Sequence, residues 1–277
     1  MPKLPSSRVA LSFESSLLST FLKGSSFAAI PLSTKDVDIP YFVQKKIGNH
    51  YLLLMAEGGS DYNHAVTALT AKSLWGPYVP CTINPVLTHR HLGKDYPVQS
   101  LGHADLVQTP TGDWYAVFLG KRIVEGGLVP LGRETFLCEV SFQNGEPIFN
   151  PGIGVIGNRL KRPLLPWTPV SKTDKQNDFE SSALSPEWAT MRIPEQPLHH
   201  FADGNLFLSL RPEMADSLVC PSMLLHRVHS HNFSAITTMT FSTCQANEWA
   251  GLVLYRTAKG YYSLLKGKNE IRLTIDK

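Results

Sequence analysis

From Gln99 to Leu137 the chain reads QSLGHADLVQTPTGDWYAVFLGKRIVEGGLVPLGRETFL, and this stretch decides the fold. Two short β runs in it, Leu106–Gln108 and Trp114–Leu119, are separated by Thr-Pro-Thr-Gly-Asp, which is typical of a turn. A third run, Glu134–Val140, follows a loop with two adjacent glycines. The pattern predicts a meander of antiparallel strands.

Polar side chains interrupt this apolar pattern where the predicted strands begin and end. His103 and Asp105 precede the first run, and Arg133 and Glu134 stand at the start of the third. Loops at one rim of a β scaffold commonly carry ligand-binding groups. We therefore expect these four residues near a binding site.

Seven short motifs occur in a fixed order, four of them upstream of this stretch and three within it. They are Tyr51–Ser60, His64–Thr67, Gly76–Tyr78, Asn84–Arg90, His103–Val107, Trp114–Val117 and Gly132–Leu137. Together they resemble glycoside hydrolase family 43, in its β-xylosidase/α-L-arabinofuranosidase branch. The resemblance begins near Asp36 and continues to the end of the sequence.

The resemblance and the strand spacing together predict an all-β fold, in which a partial five-bladed β-propeller is followed by a truncated antiparallel β-sandwich of the concanavalin-like type. Strands about ten residues apart with Gly-rich turns suit a propeller. The predicted sandwich strands include Met223–Val228 and Ser234–Phe241. We expect an atypical Ser-rich segment over residues 1–35, with a short helix over Glu14–Lys23, a propeller domain over 36–162, a linker over 163–178 and the sandwich over 179–277.

The resemblance implies roles for four polar residues. Arg133 matches an arginine that hydrogen-bonds sugar hydroxyls, and His103 matches a histidine facing the central channel near the sugar or a bound ion. Glu57 matches a glutamate that supports the site, and Ser60 matches a threonine close to the sugar. Other interpretations remain open: Arg133 paired with Glu134 or Asp105, His103 as an ordinary rim or core residue, and Glu57 hydrogen-bonded to loop amides.

Glycoside hydrolysis needs two carboxyl groups that flank the scissile bond. By resemblance Asp38 occupies the position of the acid, although its side chain is a methylene shorter than the family's Glu, and a solvated loop Asp is the alternative. Residues 1–35 contain no counterpart of the family's Asp base or of its second Asp. We therefore expect a glycoside hydrolase-like protein for xylan-derived oligosaccharides that is catalytically impaired. The alternatives are a non-catalytic carbohydrate-binding remnant and a fragment of a misread gene.

The composition of the chain excludes some classes of binding partner. The chain has 277 residues and a formal net charge of +3, with no Lys/Arg run, so no nucleic-acid partner is predicted. No apolar window is long enough to span a membrane, so no membrane partner is predicted. The weakly apolar N-terminal stretch is interrupted by charged residues, so no signal peptide is predicted. The cellular location stays open. A pentose-containing oligosaccharide is the expected partner.

The widely spaced cysteines are interpreted as free thiols. Three histidines, His64, His89 and His91, are interpreted as loop residues, because they lack the spacing of a zinc site. No cofactor is predicted. The resemblance leaves a structural calcium ion open.

Overall fold

The computed structural model of the chain describes residues 42–169 and 176–276, which divide after Pro166 into two compact units. Their regular structure is β except for one 3-10 turn, Glu125–Gly127, so the all-β prediction is confirmed. The division into domains stays a prediction, and the expectations for residues 1–35 and Asp38 lie outside the described residues. No helix in the described ranges is long and apolar enough to cross a membrane.

The first unit consists of two antiparallel meanders, each of the kind that forms one blade of a propeller. The strands of the first meander are β1 (Phe42–Ile47), β2 (His50–Glu57), β3 (Ala65–Ala71) and β4 (Val79–Pro80), with β5 (Leu87–Thr88) also pairing with β3. The second meander contains β6 (Val98–Gln108), β7 (Trp114–Arg122), β8 (Glu134–Gln143) and β9 (Glu146–Phe149). A tight turn at Gly48-Asn49 joins β1 to β2.

The two meanders share one hydrophobic core. Side chains of β2 and β3 are buried against side chains of β6, β7 and β8. The members contributed by these five strands are Leu52, Leu54, Val66, Ala68, Val98, Leu101, Ala104, Leu106, Ala116, Phe118, Cys138 and Val140. Each large apolar side chain buried in this way stabilises the fold by about 1.5–3 kcal/mol, so the core fixes both sheets as the frame of the unit.

His89 lies in the loop after β5, as predicted, but it is completely buried. Its Nδ1 donates to the carbonyl oxygen of Val98 (2.6 Å), and its Nε2 accepts from the backbone N–H of Ile156 (3.0 Å). Because a carbonyl only accepts and an N–H only donates, these two bonds require the neutral ring with its proton on Nδ1. Burial lowers the pKa of His89, which favours the same neutral form.

The second unit holds shorter strands. They are β10 (Trp188–Ala189) paired with β13 (Leu225–His226), β11 (His199–Ala202) paired with β12 (Asn205–Leu208), and a three-stranded sheet of β14 (Ala250–Thr257), β15 (Gly260–Lys266) and β16 (Ile271–Asp276). The strand predicted over Met223–Val228 is reduced to two residues. The one predicted over Ser234–Phe241 is wrong, since no described segment pairs with its backbone.

One face of the three-stranded sheet is apolar and exposed. Leu254, Tyr262 and Ile275 lie opposite one another across the three strands, and so do Leu264 and Leu273 on β15 and β16. All five side chains are exposed, with Leu273 at 70%. A contiguous apolar patch of this kind is unusual on a monomeric soluble protein and favours association.

We predict that stability falls as the pH drops below about 6.5, which is the pKa of an unfolded histidine. The pKa of His89 is lower than this in the folded protein, so the unfolded state binds more protons in that range and protonation favours unfolding. The urea midpoint should therefore be lower at pH 5 than at pH 7.5. In His89→Gln this decrease should be smaller, whereas in the control His200→Gln, an exposed site in the second unit, it should be unchanged. Equal decreases in wild type and His89→Gln would contradict the assignment.

The exposed apolar face should make the chain associate with itself. Analytical ultracentrifugation is expected to show a sedimentation coefficient that rises with concentration, and the double variant Leu264→Lys, Leu273→Thr should reduce that rise. Ile193→Thr is a matched control, because Ile193 is an exposed apolar residue outside the sheet. A wild-type chain that stays monomeric over the whole concentration range would refute this expectation.

Candidate functional site

The candidate site lies along β6, whose pairing with β7 is irregular. Gln99 lies opposite Lys121 and Gly102 opposite Leu119, so three steps along β6 match two along β7. The same mismatch recurs between Gly102 and Asp105, which lies opposite Val117. Each mismatch is a bulge of one extra residue, a feature that redirects side chains within a strand.

The two bulges change which side chains of β6 reach the surface. His103 has φ +57°, in the left-handed region, and its side chain is exposed, whereas its neighbours Gly102 and Ala104 are buried. The prediction that His103 and Asp105 stand before a strand is therefore wrong, because both lie inside β6. The strand continues through them because the bulges absorb the extra residues.

Gly102 is in close contact with the imidazole of His64. A Cβ at position 102 would lie 2.1 Å from both Cδ2 and Nε2 of this ring, so only glycine fits there. His64 precedes β3 and is 4% exposed. Its Nδ1 lies 3.0 Å from the carbonyl oxygen of Glu57, which makes Nδ1 the donor. Burial lowers the pKa of His64, so the neutral ring is favoured.

Arg133 immediately precedes β8 and is exposed. Its positive charge, together with the larger effect of partial burial, lowers the pKa of His103, so the two side chains are close enough to interact electrostatically. Arg133 makes no hydrogen bond or ion pair with any other described residue. Its guanidinium group therefore has its donors available to a ligand.

The carboxylates that sequence analysis paired with Arg133 have other partners. Glu134 accepts two bonds from Arg122, at 2.9 Å from Nε and 2.6 Å from Nη2, which is a bidentate pair. Asp105 lies 3.2 Å from the ammonium of Lys45. The alternative interpretation of Arg133 as the strand partner of Glu134 or Asp105 does not describe this structure.

Glu57, at the end of β2, is held by two donors. Its Oε2 accepts from the hydroxyl of Thr67 (2.8 Å) and its Oε1 from the guanidinium of Arg90 (3.2 Å). The bonds to loop amides of the alternative interpretation are absent from the described contacts of its carboxylate. Ser60 lies exposed in the turn that follows Glu57. This loop is tight, since a Cβ at Gly58 would lie 2.2 Å from the carbonyl oxygen of Asn63.

A further charge near His64 is that of Lys121, whose ammonium lies 3.7 Å from Asp61.

Across residues 42–169 and 176–276, no group of three or more His, Cys, Asp and Glu side chains is arranged to hold a metal ion. The structural calcium ion that the resemblance leaves open stays a prediction. Asp38, the expected acid, lies outside the described residues.

The arrangement suits binding better than proton transfer. Arg133 and His103 are both exposed, whereas the carboxylates of Glu57, Asp105 and Glu134 are paired with neighbouring cations. Planar donor groups of this kind bind vicinal hydroxyls or a carboxylate. A polar ligand with several hydroxyl groups fits the donors that remain available.

Sequence analysis missed His64, Gly102 and the partner of Glu57, Arg90. The signal for Gly102 was the glycine inside an apolar strand pattern, which indicates a bulge or a close approach. His64 and Arg90 left no such signal, because each acts through a contact that links segments far apart in the chain.

Comparisons with known proteins agree with this architecture. Residues 33–147 match the family described as glycosyl hydrolases family 43, and residues 176–275 match the beta xylosidase C-terminal concanavalin A-like domain. A xylosidase/arabinosidase of Butyrivibrio fibrisolvens is 36% identical over 259 residues, covering 91% of this chain and 50% of that protein. A non-reducing end α-L-arabinofuranosidase of Bacteroides ovatus is 34% identical over 249 residues, covering 89% of this chain and 46% of that protein.

A solved structure supports the same assignment. The crystal structure of a xylan β-1,4-xylosidase from Bacillus halodurans superposes with a TM-score of 0.73 at 28% sequence identity, covering 87% of this chain and 48% of that one. The chain spans about half the length of the curated relatives it matches. With both family domains matched in order, the chain belongs to glycosyl hydrolase family 43.

Proposed function

We propose that this chain is a glycoside hydrolase-like protein of the β-xylosidase/α-L-arabinofuranosidase type, which binds the terminal pentose of xylan-derived oligosaccharides and is catalytically impaired. The names of its relatives, xylosidases and arabinofuranosidases, support the substrate class. The small net charge supports a neutral sugar rather than a nucleic acid as the partner.

The observation that carries the proposal is that the guanidinium group of Arg133 has no hydrogen-bond or ion-pair partner among the residues that the structure describes. Arg90 and Arg122 of the same unit are each paired with a glutamate, whereas Arg133 is exposed and interacts electrostatically with His103. The planar fork of an arginine suits two hydrogen bonds to vicinal hydroxyls, which every pentose ring offers. Arg133 is thus the main sugar contact of the proposal, and His103 is a second donor or acceptor beside it.

Glu57 and Ser60 have supporting roles in the proposal. The Glu57 carboxylate accepts from Thr67 and Arg90, so it fixes the end of β2 rather than offering a proton. Ser60 follows it in the same turn, where its exposed hydroxyl is available to a sugar. The proposal therefore assigns Glu57 to positioning and Ser60 to binding.

The impairment follows from the lack of a carboxyl pair. An inverting glycosidase needs an acid on one side of the bond and a base, about 6.5–9.5 Å away, to activate water. Asp38 is the one matched to a catalytic position, and no residue of 1–35 resembles the base. Among the described carboxylates, Asp61 is paired with Lys121 and Asp105 with Lys45. Binding without turnover is the behaviour that this arrangement supports.

Arg133→Lys should weaken binding of xylobiose by about 1–2 kcal/mol, because lysine keeps the charge but loses the fork. Titration calorimetry on the folded variant measures this loss. His103→Ala is expected to weaken binding as well. Arg256→Lys is the matched control, since Arg256 is an exposed arginine of β14 in the second unit. Unchanged affinity in a folded Arg133→Lys protein would remove the main support for the proposal.

The chain should hydrolyse aryl xylosides and aryl arabinofuranosides at least about a hundredfold more slowly than a full-length relative, because no base activates the attacking water. Initial rates of nitrophenol release test this directly. A rate within about tenfold of the relative would contradict the impairment. In that event loss of the rate in Asp38→Ala would identify Asp38 as the acid.

A further inference from the structure

We infer that His64 is a positioning residue, whose ring holds the double bulge of β6 and thereby sets the direction of the His103 side chain. His64 is not assigned to sugar contact, because its side chain is buried and its neighbour on the site side is the backbone of Gly102. The inference deepens the proposed function and rests on it only where sugar binding is the measured quantity.

The first step is the contact between the ring and the strand. A Cβ at position 102 would lie 2.1 Å from Cδ2 and Nε2 of His64 and 2.7 Å from Cε1. One edge of the imidazole therefore occupies the volume where any other residue of β6 would carry a side chain. Gly102 is the residue shared by the two bulges, so the ring lies where the strand departs most from regular pairing.

Hydrogen bonds hold the ring of His64 in place. Its Nδ1 donates to the carbonyl oxygen of Glu57, and the carboxylate of Glu57 is held by Thr67 and Arg90. The end of β2, β3 and the loop after β5 thus hold the ring through connected hydrogen bonds. A ring fixed in this way resists displacement towards the core.

The backbone of β6 is strained at its bulges. A histidine in the left-handed region is strained, and Ser100 adopts the same region three residues earlier, at φ +56°. Such a backbone persists only where packing holds it. Because side chains alternate along a strand, loss of one bulge shifts the register by one residue and turns His103 towards the opposite face.

The charges around His64 are compatible with this role. The groups that interact with it are His103 on β6, Lys121 on β7 and the backbone of Glu57 and Gly59, and Lys121 is itself near Asp61. A protonated ring would be repelled by Lys121 and would lie buried without an acceptor for its second N–H, since no described residue bonds to Nε2. The neutral ring is the form that packs on Gly102.

A double-mutant cycle at the two contacting positions tests the inference. We expect His64→Ala and Gly102→Ala each to shift the ring resonances of His103 in ¹H–¹³C NMR spectra and to reduce xylobiose affinity to the level of His103→Ala. In the double variant the new methyl group fills the volume that the ring has left. The loss of xylobiose affinity in the double variant should therefore be smaller than the sum of the losses in the two single variants. His91→Ala, an exposed loop histidine of the same unit, should change neither signal.

His64→Asn keeps a donor for the carbonyl of Glu57 without the ring edge, so it remains informative if the alanine variants unfold. It should move the His103 resonances while retaining a cooperative thermal melt. A folded His64→Asn protein with unshifted His103 resonances, or a purely additive cycle, would overturn the inference. If wild type binds no xylobiose, the proposed function fails, and the His103 resonances still decide the role of His64.

Discussion

The contact between the ring of His64 and the backbone of Gly102 is the constraint on which the candidate site depends. The ring leaves no room for a side chain at position 102, and β6 bulges on both sides of that residue. His103 is exposed as a result, between two buried neighbours. A regular strand of the same composition would alternate in and out of the core and would place its polar groups differently.

Charge pairing then decides which of the polar groups remain available. Three cations near β6 are matched by carboxylates, in the pairs Arg122–Glu134, Arg90–Glu57 and Lys45–Asp105. Each pair is partly exposed, so its direct contribution to stability is small. The consequence for binding is larger, because these pairs consume the acceptors that would otherwise engage Arg133.

Local patterns in the sequence were enough to predict much of the fold. The β run over Trp114–Leu119 and the Thr-Pro-Thr-Gly-Asp turn before it each depend on neighbouring residues alone, and each has its expected structure. The bulges of β6 and the burial of His64 depend on register between strands, which periodicity does not encode. The strand expected over Ser234–Phe241 failed for the same reason, since β runs form strands only where a partner lies beside them.

The central claim is that Arg133 and His103 together form a pentose-binding site in the first unit. Titration of xylose into uniformly ¹⁵N-labelled protein, followed by ¹H–¹⁵N NMR, tests it most directly. We expect the amide signals of Gly102, His103 and Gly132 and the side-chain Nε–Hε signal of Arg133 to shift together with one dissociation constant, while those of β14 to β16 stay fixed. Absence of any shift, or shifts confined to the second unit, would contradict the account.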